Sequence, residues 1–217
     1  MAIELGANPW ILILIMFFEL LLILIPALIA SKIESTSVKD EIVFMGFQKN
    51  EDSIQINIIK ILIGIGLGFT FFFISGYIIF FFRNIIVKSI FGSGFVNQGE
   101  KGAIKTVPFE PSVSQMLLII ALHFLLVGIC EEAFFRGFII KKTEKKVRLV
   151  FAILLSSACF AFYHTPPLLV PITTIITYFG YYFTFGVLLS VLFKIFHNSL
   201  LPCVIAHGLF NTLILIL

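Results

Sequence analysis

The sequence predicts an all-α fold, a polytopic transmembrane helical bundle of about six spans, with five and seven also compatible. Three observations carry this. Hydrophobic residues make up 59% of the 217 positions and charged residues 12%, where a soluble domain carries roughly 45–50% and about 25%. Mean hydropathy is +1.11. Apolar stretches near the roughly 20 residues that a bilayer core demands recur along the chain, separated by polar connections. So little charge cannot cover a water-facing surface, which excludes a soluble cytosolic enzyme. So much apolar surface equally excludes disorder.

The first span runs from Pro9 to Ala30 and contains Glu19 and Pro26. No Lys or Arg precedes Trp10 and the run exceeds a signal-peptide core, so this segment is expected to be retained rather than cleaved. A polar connection, Ser31 to Ser53, carries Lys32, Glu34, Lys39, Asp40, Glu41, Lys49, Glu51 and Asp52. The second span covers roughly Ile54 to Phe82, with Gly64, Gly66 and Gly68 expected to admit a close helix neighbour. Residues 83–111 read as a long connection, rich in glycine and containing Pro108, part of it interfacial. The third span starts near Ser112 and ends at the cluster Lys141, Lys142, Lys145, Lys146 and Arg148; the fourth runs from Leu149 to His164, where Thr165-Pro166-Pro167 stops it. Leu168 to Phe196 is interrupted by Pro171 and Gly180, and is read as a re-entrant or irregular entry followed by a span from about Thr177. Ser199 to Leu217 is the last span.

Alternating these spans puts Lys32, Lys39, Lys49, the 141–148 cluster and Lys194 on one side, with Arg83, Lys88, Lys101 and Lys105 on the other. The positive-inside rule then places the first set in the cytoplasm and the N-terminus outside. The basic residues flank spans rather than cluster with exposed aromatics, so no nucleic acid is expected; the partners expected are the lipid bilayer and, from the site read below, a peptide or lipidated-protein substrate. Cys130, Cys159 and Cys203 lie in apolar runs at no metal-ligand spacing and are read as packing residues.

A charge in the middle of a span costs about 2.5–3.5 kcal/mol on insertion scales, so such residues are functional candidates. Lys60 and Lys194 lie near span ends and can snorkel. Glu19 stands alone, read as either functional or a helix–helix hydrogen bond. Glu131, Glu132 and Arg136 fall in one apolar helix. Glu132 and Arg136, four apart, share a face and are expected to form a supporting ion pair. Glu131 is rotated roughly 100° away and is left as the working carboxylate. His164 lies one turn after Phe160, and His207 and Asn211 share a face of the last span. At about 1.5 Å rise per residue, Glu131, His207 and Asn211 come out at mid-membrane depth from one side, with His164 within a turn or two. His123 and His197 have no such partners and are left as structural.

A carboxylate, two imidazoles and a carboxamide suit amide hydrolysis. Glu131, assisted by His164, could take a proton from water, while His207 and Asn211 donate to the oxyanion. The same Glu131, His164 and His207 are also zinc-type ligands, although no H-E-x-x-H is present. Two other classes fit these residues. One is a non-enzymatic protein binding a peptide in the same cavity; the other is a proton-coupled carrier, disfavoured by the absence of an internal repeat.

The run Glu131-Glu132-x-x-x-Arg136, then Phe160-x-x-x-His164, then His207-x-x-x-Asn211 resembles the three motifs of the CPBP family. That family includes the type II CAAX prenyl endopeptidases and the Abi, or bacteriocin-processing, membrane proteins. Arg136-Gly137 and Ser199-Leu200-Leu201-Pro202 resemble the usual context. The resemblance covers roughly Ser112 to Leu217. It divides the chain into residues 1–111, two N-terminal spans with polar connections, and residues 112–217, a peptidase core of about four spans. It implies an intramembrane peptidase whose Glu131 activates water, with His164, His207 and Asn211 completing the site and a metal-free mechanism favoured over zinc. Substrates implied are prenylated CAAX-type or bacteriocin-like membrane peptides, with bacteriocin immunity as the non-catalytic alternative. The location implied is the plasma membrane of a prokaryote.

Overall fold

The computed structural model describes residues 4–5, 9–48, 52–106 and 111–216. Lys49, Glu51, Pro108 and Leu217 of the sequence reading lie outside the described residues. The fold is an all-α membrane bundle. Among the described residues four helical segments are long and apolar enough to cross a bilayer, and Leu149–His164 and Leu201–Ile216 are shorter apolar helices. The strand content among the described residues is a two-residue parallel pair, β1 (Glu4–Leu5) against β2 (Lys105–Thr106).

Helix α1 (Pro9–Glu34) tightens to a 3₁₀ turn at Phe18–Leu20 and ends where Ser35 turns left-handed at φ 55°. It buries Ile13, Met16, Ile23 and Ala27 while Trp10, Leu14, Phe17 and Leu28 stay exposed. Exposed apolar side chains are what a lipid surround favours, since helices in lipid have no hydrophobic incentive to hide them. The polar connection after α1 is itself structured. Ser37 accepts from Asp40 N at 3.1 Å and Asp40 accepts from Ser37 N at 3.4 Å, a reciprocal cap that starts α2 (Val38–Ile42). The chain continues as a π-turn over Val43–Phe47 and buries Met45 completely.

Helix α3 (Ile54–Phe80) begins at Ser53, whose hydroxyl accepts from Ile56 N at 3.3 Å. A π-helical stretch, Phe81–Val87, leads into α4 (Lys88–Gly102). The long connection expected over residues 83–111 is therefore helical through Gly102, with a break at Gly92, φ 83°. Its glycines lower helix propensity, but Gly99 and Gly102 press against Thr177 and Pro171, and Thr174 donates to the Gly99 carbonyl at 2.8 Å, which holds the helix in place.

Helix α5 (Val113–Thr143) starts at a Ser112–Gln115 capping box and holds two π-helical stretches, His123–Gly128 and Ala133–Ile140. Helix α6 (Leu149–His164) ends before Pro166. Helix α7 (Ile172–Ile195) is continuous after a non-helical entry at 165–171, so the entry is irregular rather than re-entrant and the span starts five residues before Thr177. Pro171 sits at the cap, where its missing N–H breaks nothing, and Gly180 persists inside because the Phe82 ring packs onto it. Helix α8 (Leu201–Ile216) closes the bundle.

Two of the three expected glycine contacts are present. A Cβ on Gly64 would meet Ile205 at 2.8 Å and one on Gly68 would meet Leu209 at 2.9 Å, so α3 lies directly against α8; Gly66 faces open space. On the other side of the bundle Gly186 lets α7 approach Ser157 of α6, where a Cβ would meet Ser157 Cα at 2.8 Å. The main core joins Phe71, Phe135, Phe160, Phe185, Leu189, Phe193, Cys203 and Ala206, and the site lies at its edge.

Candidate active site

Glu131 and Glu132 lie on α5 in a short α-helical stretch between the two π-helical ones. Wider turns leave backbone groups poorly paired, and π-bulges concentrate at functional sites. Here Ser156 of α6 donates to the Phe135 carbonyl at 2.7 Å. Arg136 is fully buried and donates through Nη1 to Glu132 Oε1 at 2.9 Å. Its Nη2 reaches the Gly186 carbonyl at 3.4 Å and its guanidinium lies 4.6 Å from the Phe160 ring centroid. The expected ion pair is thus present, with Arg136 also in contact with α6 and α7.

His164 ends α6. Its ring lies 4.3 Å from Phe160 and 4.7 Å from Tyr182, centroid to centroid. Its Nδ1 is 3.0 Å from the Phe160 carbonyl. A carbonyl only accepts, so Nδ1 carries the hydrogen and Nε2 is free to face the site. Nε2 lies 3.8 Å from Glu131 Oε2. His207 of α8 behaves alike: Nδ1 is 2.8 Å from Glu132 Oε1, and Nε2 is 3.9 Å from Glu131 Oε2. Glu132 therefore orients His207 as well as Arg136, a link across 75 residues.

Glu131 Oε2 is buried with no hydrogen-bond partner among the described residues. With both rings neutral, three acceptor atoms converge on one point within 4.8 Å of one another. That point calls for a donor: a water, a proton on a ring nitrogen, or a cation. The residue types fit zinc, but tetrahedral zinc with bonds of about 2.0–2.1 Å sets its ligand atoms only about 3.4 Å apart. Separations of 3.8 and 3.9 Å fit a water hydrogen-bonded at about 2.8 Å without any side-chain movement.

A cavity of about 250 Å³ adjoins this point, lined by His123, His164, His207 and Asn211 at its polar part and by Phe71, Phe185 and Phe210 among its apolar wall. Asn211 thus joins the histidines, one turn beyond His207. Glu131, only 3% exposed, lies behind the rings rather than in the cavity wall.

Residues 113–213 match the family model for type II CAAX prenyl endopeptidase, Rce1-like. Over these residues, 101 of the 217, the chain is similar to that family. No curated protein and no solved structure matches the chain. The match agrees with the three-motif resemblance, and Glu131, Glu132, Arg136, His164, His207 and Asn211 all lie inside the matched segment. The family it resembles is one of CAAX-type endopeptidases, and the chain's own apolar helices make it an integral membrane protein.

Sequence reasoning did not place His123 at the site. It lines the cavity, with Nδ1 2.9 Å from the Ile119 carbonyl. Eight residues before Glu131, it falls off Glu131's face on a regular α-helix, and the intervening π-turns change that phase. Tyr182 was missed for want of a motif partner. Glu19, read as alone on its span, accepts from Tyr163 Oη at 2.7 Å. His197 lies at a turn beyond α7, φ 52°, lining a separate cavity.

Proposed function

We propose that the protein hydrolyses a peptide bond of a membrane-associated substrate, prenylated CAAX-type or bacteriocin-like, with Glu131 as general base. The convergence of Glu131 Oε2 and the two Nε2 atoms on one point carries this reading. A water there gives its proton to Glu131, with His164 orienting it, and its oxygen bonds to the scissile carbonyl carbon. Asn211 Nδ2 donates to the oxyanion, and so does His207 when its ring is doubly protonated, since Nδ1–H is committed to Glu132. The C–N bond then breaks, and the proton held by Glu131 passes to the departing amine. Glu132 and Arg136 hold the site's geometry. A zinc ion at the same point would be held by Glu131, His164 and His207 and would supply a polarised water. The cavity is smaller than the roughly 300–1,000 Å³ of drug-sized sites, so it suits one apolar group of the substrate, with the remainder lying in the membrane.

The burial of Glu131 behind the rings favours a second reading, a peptide-binding immunity or regulatory protein that never exposes the carboxylate. Reconstitution in liposomes with prenylated and bacteriocin-like peptides separates them. Hydrolysis is expected, reduced at least about a hundredfold in Glu131→Gln and unaffected by a chelator. Turnover that survives Glu131→Gln overturns the general-base role. Loss to a chelator with recovery on zinc overturns the metal-free step, and tight binding of an uncleaved peptide supports the second reading.

A further inference from the structure

Glu19 is the one acidic residue of the first span, in a segment before the matched family region. A mid-span carboxylate costs about 2.5–3.5 kcal/mol on insertion scales, and a plain lipid-facing helix gains nothing from it. It sits in the 3₁₀ turn Phe18–Leu20, and its Oε1 accepts from Tyr163 at 2.7 Å while its buried Oε2 has no partner among the described residues. Tyr163 directly precedes His164, and their rings lie 5.5 Å apart. The apolar clusters that bury α1 join it to α5, with Ile13 and Met16 on Ile119 and Val127, and Ile23 and Ala27 on Cys130 and Ala133. None of them contains a residue of α6. The Glu19–Tyr163 bond is thus a polar tie from α1 to the last turn of α6, the turn that aims His164 Nε2 at Glu131. A helix end whose carbonyls lack intrahelical partners is where a helix frays first.

We infer that Glu19 is a positioning residue for the peptidase site, holding His164 against Glu131 through Tyr163. The inference rests on the hydrolytic reading above for its kinetic consequence. The first span, outside the family's matched segment, then supplies part of the active-site geometry. Glu19 does not line the cavity; the tie acts by fixing the ring of its neighbour's neighbour.

Four variants test this in liposomes alongside wild type: Glu19→Leu, Glu19→Gln, Tyr163→Phe and the Glu19→Leu/Tyr163→Phe double. Leucine is at home in a span, so Glu19→Leu is expected to insert and fold. Glu19→Leu and Tyr163→Phe should each lower kcat about ten- to a hundredfold, the scale of small misplacements at a reacting centre, with KM changed less than about twofold. The double should be no worse than either single, because one interaction is lost once. Glu19→Gln keeps an acceptor oxygen and should recover most of the loss. Wild-type kcat in Glu19→Leu, an additive double, or Glu19→Gln as poor as Glu19→Leu overturns the inference. A Glu131→Gln arm keeps the two readings apart: turnover there sinks the hydrolytic mechanism whatever Glu19 does. Nitrogen NMR of labelled histidines needs no substrate. The His164 ring signals should shift or broaden in Glu19→Leu and Tyr163→Phe while those of His207 stay in place, and unmoved His164 signals overturn the positioning role by themselves.

Discussion

Arg136 joins three helices through one guanidinium: it is fully buried, pairs with Glu132 of α5 at 2.9 Å, reaches the Gly186 carbonyl of α7 and covers Phe160 of α6. Glu132 in turn holds His207 of α8. Removing one partner of a buried pair leaves an uncompensated charge and typically costs about 3–5 kcal/mol. Arg136→Leu is therefore expected to lower thermal stability in detergent by about that much. Replacing Glu132 with Gln in the same chain should restore part of it, because the orphaned charge is then gone. A double variant less stable than Arg136→Leu would contradict the pairing. The sequence carried this pair, since a spacing of four on one helix needs no tertiary knowledge. It did not carry the bond from Glu132 to His207, because nothing local relates residues 75 apart. Nor did it carry His123, whose phase relative to Glu131 depends on turns that widen only in the folded helix.

At the scale of elements, glycines and a short connecting helix make separable predictions. Gly66 and Gly68 lie two apart on α3, yet Gly68 is pressed against Leu209 and the Ala206 carbonyl while Gly66 meets nothing within 4 Å. Gly68→Ala should destabilise by about 1–3 kcal/mol through overpacking, and Gly66→Ala should stabilise by about 0.5–1 kcal/mol through helix propensity. Equal melting temperatures for the two variants would refute the α3–α8 seam. Composition suggested a close approach along this helix but could not choose the face. The segment beginning with α2 docks by charge: Lys142 bridges Glu34 at 2.6 Å and Glu41 at 2.9 Å, and Lys141, Lys142 and Lys145 lie 4.3–4.6 Å from the Phe44 ring centroid. Gly137 has no room for a side chain against the Met45 carbonyl. Burial raises the Glu41 carboxyl, but hydrogen bonds from Lys142 and Thr36 and the charges of Lys142 and Lys145 outweigh it and hold the group below its ordinary 4.5. A folded-state value below the unfolded one means stability present above pH 4.5 and lost as the pH falls through the folded value. The melting-temperature advantage of wild type over Glu41→Gln should accordingly be largest near neutrality and shrink below that pH. An advantage independent of pH would assign Glu41 to packing alone.

On the scale of the whole molecule, the matched segment 113–213 does not coincide with a separate core. Each of the three buried apolar clusters among the described residues takes members from both sides of residue 111. Phe71 packs with Phe135 and Phe185, Ile23 and Met45 with Cys130 and Ala133, and Ile13 with Ile119. The sequence could mark the border, through the long glycine-rich stretch and the onset of motifs, but could not show this sharing. In a membrane a face turned to lipid and a face turned to another helix are both apolar, so hydropathy does not distinguish them. We propose that residues 1–111 and 112–217 are a motif-poor and a motif-bearing half of one folding unit rather than two domains. Expressed alone, residues 112–217 would lack Phe71 from the core, Met45 from the face of Gly137, and α3 from the face of α8 that it covers. The fragment should therefore show no cooperative thermal transition and no peptide cleavage, and co-expression of residues 1–111 should restore both through the same clusters. A 112–217 fragment that melts cooperatively and cleaves peptide unaided would show that the first half is an accessory. The same result would also remove Glu19 from the set of residues on which the site's geometry depends.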